Sequence, residues 1–289
     1  MGQFVLTGSQ KFSLTLEVAA SLAGRVDIIE LETLSVREIQ NHDHTLSLED
    51  IMCRGGFPEL YRTPQLEARG FYAAYVATYL ERDVRSLLRV STLRDFERLL
   101  RLCALRSGQL LNKSELARDV GISPSTANEW LSILVASNQI VLLEPWFANK
   151  SRSIVKSPKL YLADTGLLCF LLNIGSHNDL LQSPYFGSIW ETFVFSALRK
   201  QQIASTGAWN LYFWRDRVRE VDFVLHRGGR FTLYEAKASE VPEAKDSANL
   251  RYLRDILGAG EIERMGVICR TPHRFPLGEN VEALSLESI

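Results

Sequence analysis

The stretch EVDFVLHRGGRFTLYEAK, Glu220 to Lys237, reads as two strands joined by a tight turn. Gly228-Gly229 at its centre is a strong two-residue hairpin signal, because both central positions of the favoured turn need positive φ. With those glycines at the tip, Val224 faces Leu233, Asp222 faces Glu235 and Glu220 faces Lys237. Side chains alternate along a strand. The register therefore predicts one face carrying Glu220, Asp222, Glu235 and Lys237, and an opposite core face of Val221, Phe223, Leu225, Tyr234 and Ala236. Carboxylates directly across an antiparallel pair stand about 4.5 to 5.5 Å apart at Cβ and repel unless a proton, a lysine or a metal ion lies between them. Such oxygens suit a hard divalent cation, so Asp222 and Glu235 are candidate ligands for Mg²⁺.

Working outward, the pattern around the hairpin predicts a helix over 189–202, strands over 210–215, 220–226 and 231–237, a helix over 242–257 and a strand over 265–270. Glu191 on the first of these helices has two competing readings. In Ser188-Ile189-Trp190-Glu191 it can close a capping box, or it can turn toward the acidic pair. The bland reading of Asp222, Glu235 and Lys237 is a salt-bridged solvent face shared with Glu220 and Arg215.

Toward the N-terminus, a polar linker over 175–184 separates this α/β unit from a helical one. Helical apolar spacing recurs over 65–82 and 92–105, which predicts a helical lid or connector. Ser114 can cap a helix ending at Val120, Gly121 makes a turn, and Ser123-Pro124 caps and starts a second helix. This is a helix-turn-helix pattern. Strands over 139–146 and 160–163 flank the basic stretch NKSRSIVKSPK (Asn149 to Lys159), which predicts a winged helix. Its recognition helix, Pro124 to Ser137, holds no Arg or Lys and does hold Glu129, so it is poorly equipped to read bases or neutralise phosphate. The wing residues Lys150, Arg152, Lys156 and Lys159 are the candidate DNA contacts, with protein docking as the competing use. At the start of the chain, FVL (Phe4 to Leu6), a helix over 14–22 and a strand over 26–31 predict the last part of a larger α/β unit, with an upstream part missing.

Composition supports a folded chain and excludes several classes. Hydrophobic residues make up 46% and charged residues 23%, values of an ordinary globular protein rather than a disordered or fibrous one. Thirty-three Lys and Arg balance 34 Asp and Glu, so any attraction to nucleic acid or an anionic membrane must come from a local patch. The four cysteines show no Cys-x-x-Cys pair and the five histidines no zinc spacing, which excludes a structural zinc site and suggests the reducing cytoplasm. The longest apolar stretch, Leu160 to Ile174, is too short to span a bilayer and contains Asp164, and no basic segment precedes an apolar run. A cytoplasmic protein without membrane or lipid anchor is the expectation.

Asp222 followed at hairpin distance by Glu235-x-Lys237 resembles the PD-(D/E)XK nuclease superfamily, in which a helix, three antiparallel strands, a helix and a strand recur. The resemblance implies that Asp222 and Glu235 bind Mg²⁺, that Lys237 orients water and stabilises phosphate charge, and that Glu191 assists. Val221 stands where that superfamily often has Pro. Further runs extend over essentially the whole chain: LTGSQ (Leu6 to Gln10), SLAGR (Ser21 to Arg25), GGFPEL (Gly55 to Leu60), YLERDV (Tyr79 to Val84), ELARDVGIS (Glu115 to Ser123), KSPKLYLADTGLL (Lys156 to Leu168) and FWRDRVREVDFVL (Phe213 to Leu225). Together they resemble the prokaryotic AAA-type ATPases ending in domain of unknown function 4143.

That resemblance implies a plan of four parts: an ATPase remnant over 1–63, a helical lid over 64–107, a winged helix over 108–174 and a nuclease-like αβββαβ domain over 185–289. It implies that Ser9, Arg25 and Arg82 are remnants of nucleotide sensing, with surface ion pairs as the competing reading of the arginines. No Gly-x-x-x-x-Gly-Lys-(Ser/Thr) loop exists in the chain, so ATP hydrolysis by these residues alone is not expected. Asp164 reads as the N-cap of a helix through Leu172, with no chemical role. Three function classes remain open: a metal-dependent DNA nuclease, a nucleic-acid-binding module with an inert nuclease-like domain, and an ATPase-type protein that binds protein partners.

Overall fold

The computed structural model describes residues 29–80, 84, 93–147, 157–205 and 207–289. The expected elements over 4–6 and 14–22, most of that over 26–31, and Ser9, Arg25, Arg82, Lys150, Arg152 and Lys156 lie outside them. Ile29 and Leu31 are exposed and carry no strand.

The first half is helical because its apolar residues recur at helical spacing between strong caps. Helices α1 (Val36–His42) and α2 (Leu48–Arg54) each begin with a capping box, Ser35 with Glu38 and Ser47 with Asp50. They are followed by α3 (Pro58–Arg62), α4 (Ala68–Tyr79) and α5 (Leu93–Leu105). After β1 (Gln109–Leu110) comes the helix pair α6 (Lys113–Val120) and α7 (Pro124–Ala136). Asn112, rather than the expected Ser114, caps α6: its side chain accepts the Glu115 N–H at 3.1 Å. Gly121 takes φ 88° to end α6, and Ser123-Pro124 opens α7 as expected. Strands β2 (Ile140–Leu143) and β3 (Lys159–Leu162) complete a three-stranded sheet in the order β1-β3-β2. As the middle strand, β3 is buried along its whole length.

Two short helices, α8 (Thr165–Leu171) and α9 (His177–Gln182), lead into the long helix α10 (Phe186–Ala204). Beyond it run β4 (Asn210–Arg215), β5 (Glu220–Arg227), β6 (Arg230–Ala236), α11 (Ala248–Leu257), β7 (Ile262–Ile268), β8 (Phe275–Gly278) and β9 (Val281–Leu284). The six strands form one mixed sheet in the order β4-β5-β6-β7-β9-β8. The αβββαβ order is as predicted; the closing hairpin of β8 and β9 was not. The class is mixed α/β.

The hairpin register is also as predicted: Val224 pairs with Leu233 and Phe223 with Tyr234, and Gly228 and Gly229 turn at φ 55° and 84°. Strict alternation fails one residue earlier. Tyr212 pairs with Val224 but Trp214 with Val221, so Phe213 opposes both Asp222 and Phe223 in a β-bulge. Val221 therefore joins Val224 in the apolar cluster with Leu250 and Leu253 of α11, and not Phe223, which packs on the α10 side. The expected division into a charged face and an apolar face is corrected on this point. Val224 and Leu233 are fully buried as well, because helices cover both faces of the sheet, as a parallel β6-α11-β7 crossover demands. The α10 face continues without a break into the helical half, one buried cluster running from Ile39 to Leu286.

Candidate functional site

The bulge aims Asp222 at a point where three parts of the chain meet. Glu191 arrives from α10, Glu220 and Asp222 from β5, and Lys159 from β3. The Lys159 ammonium lies 2.6 Å from Glu220 Oε1, 2.9 Å from Glu191 Oε1 and 3.3 Å from Asp222 Oδ1. The ammonium donates hydrogen bonds to Glu191 and Asp222 and forms an ion pair with Glu220. The lysine side chain is only 2% exposed. Tyr161, two residues along β3, donates its hydroxyl to Glu191 Oε1 at 2.7 Å and stacks on Phe195 of α10 with ring centroids 4.1 Å apart. Arg215 holds the second oxygen of Glu220 at 2.9 Å.

Glu191 is not a cap. Helix α10 starts at Phe186 with no side-chain cap, and Ser188 Oγ donates to the Tyr185 carbonyl instead. Glu191 therefore does not close the capping box, and its carboxylate lies in the acidic cluster. Lys159, grouped by sequence with the wing lysines, is an interior residue of β3 and not a surface one.

On the other side of Asp222 lies Glu235. Asp222 Oδ2 accepts the Ala236 N–H at 3.0 Å, which ties it to the end of β6, and its carboxylate is within hydrogen-bonding reach of Glu235. Two carboxyl groups can share a hydrogen bond only through a proton. Burial, then the charge of Asp222 and the bond to it, push Glu235 well above the usual carboxylate range. Burial would raise Asp222 as well, but Lys159, the Glu235 bond, the Ala236 N–H and Lys237 together hold it below its usual value. Glu191 is pushed up to about 7, first by burial and then by Asp222, against the pull of Lys159 and Tyr161. Glu235 Oε1 is buried and has no hydrogen-bond partner. Lys237, half-buried two residues beyond Glu235, favours the ionised form of both acids.

The structure thus brings Glu191, Asp222, Glu235 and Lys237 together, with Glu220 and Lys159 added. The donor chemistry of Asp222, Glu235 and Glu191 is that of a hard divalent cation, and the orphaned Glu235 oxygen is the group such an ion would satisfy. Among the described residues, however, no group of three or more His, Cys, Asp or Glu side chains is arranged to hold a metal ion. The point on which three carboxylates converge belongs to the Lys159 ammonium.

A second buried carboxylate sits in the helical half. Asp164 caps α8 through the Leu167 N–H at 2.9 Å, as expected, but it also accepts the Gly56 N–H at 2.8 Å and the Tyr72 hydroxyl at 2.7 Å. Gly55 takes φ 77°, and a Cβ there would come within 2.5 Å of Asp164 Oδ1. The runs Gly55-Gly56 and Asp164-Thr165-Gly166 are therefore two halves of one joint.

The helix, hairpin, crossover helix and remaining strands of the second half coincide with a known domain. Residues 186–289 match the domain of unknown function DUF4143. The chain carries a DUF4143 domain. All the carboxylates of the acidic cluster fall within it, whereas Lys159 falls within residues 45–178, which match a different domain of unknown function, DUF8612. The uncharacterized proteins Mb2031c of Mycobacterium bovis and Rv2008c of Mycobacterium tuberculosis are each 32% identical over 293 residues, covering 99% of this chain and 63% of their own length. The chain thus spans just under two thirds of these curated relatives. The crystal structure of protein VC1899 from Vibrio cholerae aligns over 88% of this chain and 57% of that one at 15% identity, with a TM-score of 0.24, too low to support a structural argument. No helix among the described residues is long and apolar enough to cross a membrane.

Proposed function

We propose that the DUF4143 domain is a PD-(D/E)XK-type, divalent-cation-dependent phosphodiesterase acting on DNA, within a protein built on the AAA-type ATPase plan. The observation that carries this reading is the pair Asp222 and Glu235, adjacent, buried and left with one unpartnered oxygen, with Lys237 two residues on. A pair kept only for stability would have that oxygen satisfied, since an orphaned buried acceptor costs about 1 to 3 kcal/mol. Asp222 and Glu235 would hold Mg²⁺, and Glu191 would complete the carboxylate set. When bound, the cation supplies Lewis-acid stabilisation of phosphate charge. Lys237 holds the attacking water or the developing negative charge. A bound cation would offset the burial and the Asp222 charge that push Glu235 up, and Asp222, held below its usual value, would be the first ligand. The helix pair α6–α7 with β2 and β3 makes up the winged helix, and Lys150, Arg152 and Lys156 of its wing are the proposed contacts to duplex phosphates.

An inert nuclease-like module is the second reading, favoured by Lys159: a buried lysine among three carboxylates is also what a fixed ion lock would look like. Supercoiled plasmid incubated with the chain and Mn²⁺ separates the two. The phosphodiesterase reading expects nicking, by the wild type or by Lys159→Met, that adding Asp222→Asn or Lys237→Ala abolishes while the far-ultraviolet circular dichroism stays unchanged. Nicking that survives both substitutions, or none even with Lys159→Met, defeats it.

A further inference from the structure

We infer that Lys159 is a built-in occupant of the cation position, and that the DUF4143 acid cluster accepts a divalent ion only when this side chain has left it. The inference rests on the reading of Asp222 and Glu235 as cation carboxylates and adds how that site is controlled. Three observations carry it. Lys159 comes from β3, in the DUF8612-matching half, whereas every acid it touches belongs to the DUF4143 domain. Its ammonium donates to the proposed ligands Asp222 and Glu191 and pairs with Glu220, so it stands where those oxygens converge. It leaves Glu235 unserved, the one acid whose oxygen has no partner.

A divalent cation bound by Asp222 and Glu191 would lie within a few ångströms of the ammonium in a water-poor interior, where like charges repel strongly. The two cations therefore exclude each other. Removing the ammonium leaves Asp222 and Glu191 without their cation, while Arg215 still holds Glu220, and the two freed carboxylates favour a divalent ion. The cluster is also buried where Lys159 meets it: Asp222 is 8% and Glu235 3% exposed. Release of Lys159 from the DUF4143 face is then a single event that frees the ligands and opens the path to them. The neighbouring helical half thereby controls the site in cis.

The full chain tests this by isothermal titration calorimetry with Mn²⁺ and by the Mn²⁺-induced change in melting temperature. Lys159→Met is expected to bind Mn²⁺ about tenfold tighter than wild type or more, one like charge having been removed from the cluster. It should also gain a Mn²⁺-dependent rise in melting temperature that the wild type lacks. Lys159→Arg, which keeps the charge, should behave as wild type, and adding Asp222→Asn to Lys159→Met should remove the gain. Should Lys159→Met fold only when Mn²⁺ is present, the inference holds; if Mn²⁺ neither rescues folding nor binds more tightly, it fails. It fails too where the wild type already binds as tightly as Lys159→Met, or where the gain survives Asp222→Asn. Tight Mn²⁺ binding by Lys159→Met without plasmid nicking supports Lys159 as the occupant and defeats only the phosphodiesterase reading.

Discussion

Two buried aspartates in this chain are held in opposite ways. Asp164 is surrounded by neutral donors, two backbone N–H groups and a tyrosine hydroxyl, each within 2.9 Å. Asp222 is held chiefly by charge, with Lys159 on one side and the Glu235 carboxyl, itself pushed up by burial, on the other. The first arrangement is complete: its lone pairs are matched by groups that cannot leave or change charge. The second is incomplete, since it strands Glu235 Oε1 and crowds four acids. A satisfied carboxylate belongs to the architecture, whereas an unsatisfied cluster with shifted acids is what the proposed cation site would require.

Replacing a carboxylate by its amide keeps the shape and swaps an acceptor for a donor, which breaks this comparison most directly. Asp164→Asn must set an NH₂ against an N–H or O–H donor, and is expected to cost about 2 to 4 kcal/mol in urea unfolding because buried donors lose their partner. An unchanged unfolding midpoint would mean that the joint is not as tight as its distances.

Glu191→Gln sharpens the other half through pH. The folded Glu191 keeps a proton up to about pH 7 that the unfolded chain releases near its usual 4.5. Unfolding free energy should therefore fall as pH rises through that window, by roughly 3 kcal/mol, and Glu191→Gln should remove this part of the slope. Asp222 acts in a different window, its contribution being lost on acidification below its usual carboxylate range. Urea midpoints at several values between pH 5 and pH 8 measure the difference. Parallel slopes for variant and wild type would show that Glu191 does not titrate there.

Smaller effects follow. Asn112→Ala removes the side-chain cap of α6 and should cost about 1 kcal/mol in the same unfolding assay, whereas Ser114→Ala should cost almost nothing. Glu235→Gln should change stability by less than about 1 kcal/mol near neutral pH, since burial and Asp222 favour the neutral form of Glu235, which an amide resembles and which can donate to Asp222. A loss as large as that of Asp164→Asn would put an ionised Glu235 in the resting protein and undo the contrast.

The sequence made the hairpin legible because its turn demands two residues at positive φ, and Gly228-Gly229 fixes the register from there. It also pointed to Asp222, Glu235, Lys237 and Glu191. The bulge opposite Phe213 was out of reach, because it arises from pairing with β4, and no local residue announces it. So was Lys159. Within NKSRSIVKSPK it looks like one more basic wing residue, and only the burial of β3 between two partner strands separates it from its neighbours. Asp164 was readable as a cap from its three-residue spacing to Leu167, but its bonds to Gly56 and Tyr72 span about a hundred residues of sequence and carry no local signal.

The segment after β2 lies along the outer side of β4. Phe213 donates its N–H to the Glu144 carbonyl at 3.2 Å and accepts the Trp146 N–H at 2.7 Å. Strand β4 ends the six-stranded sheet, and an open strand there would offer a template for another polypeptide to zip onto. At the opposite margin, β8 is four residues long and contains Pro276, which has no N–H to offer. With one margin covered and the other blunted, the sheet is poorly suited to intermolecular strand pairing, so aggregation of the folded chain by edge-to-edge growth is disfavoured at both ends.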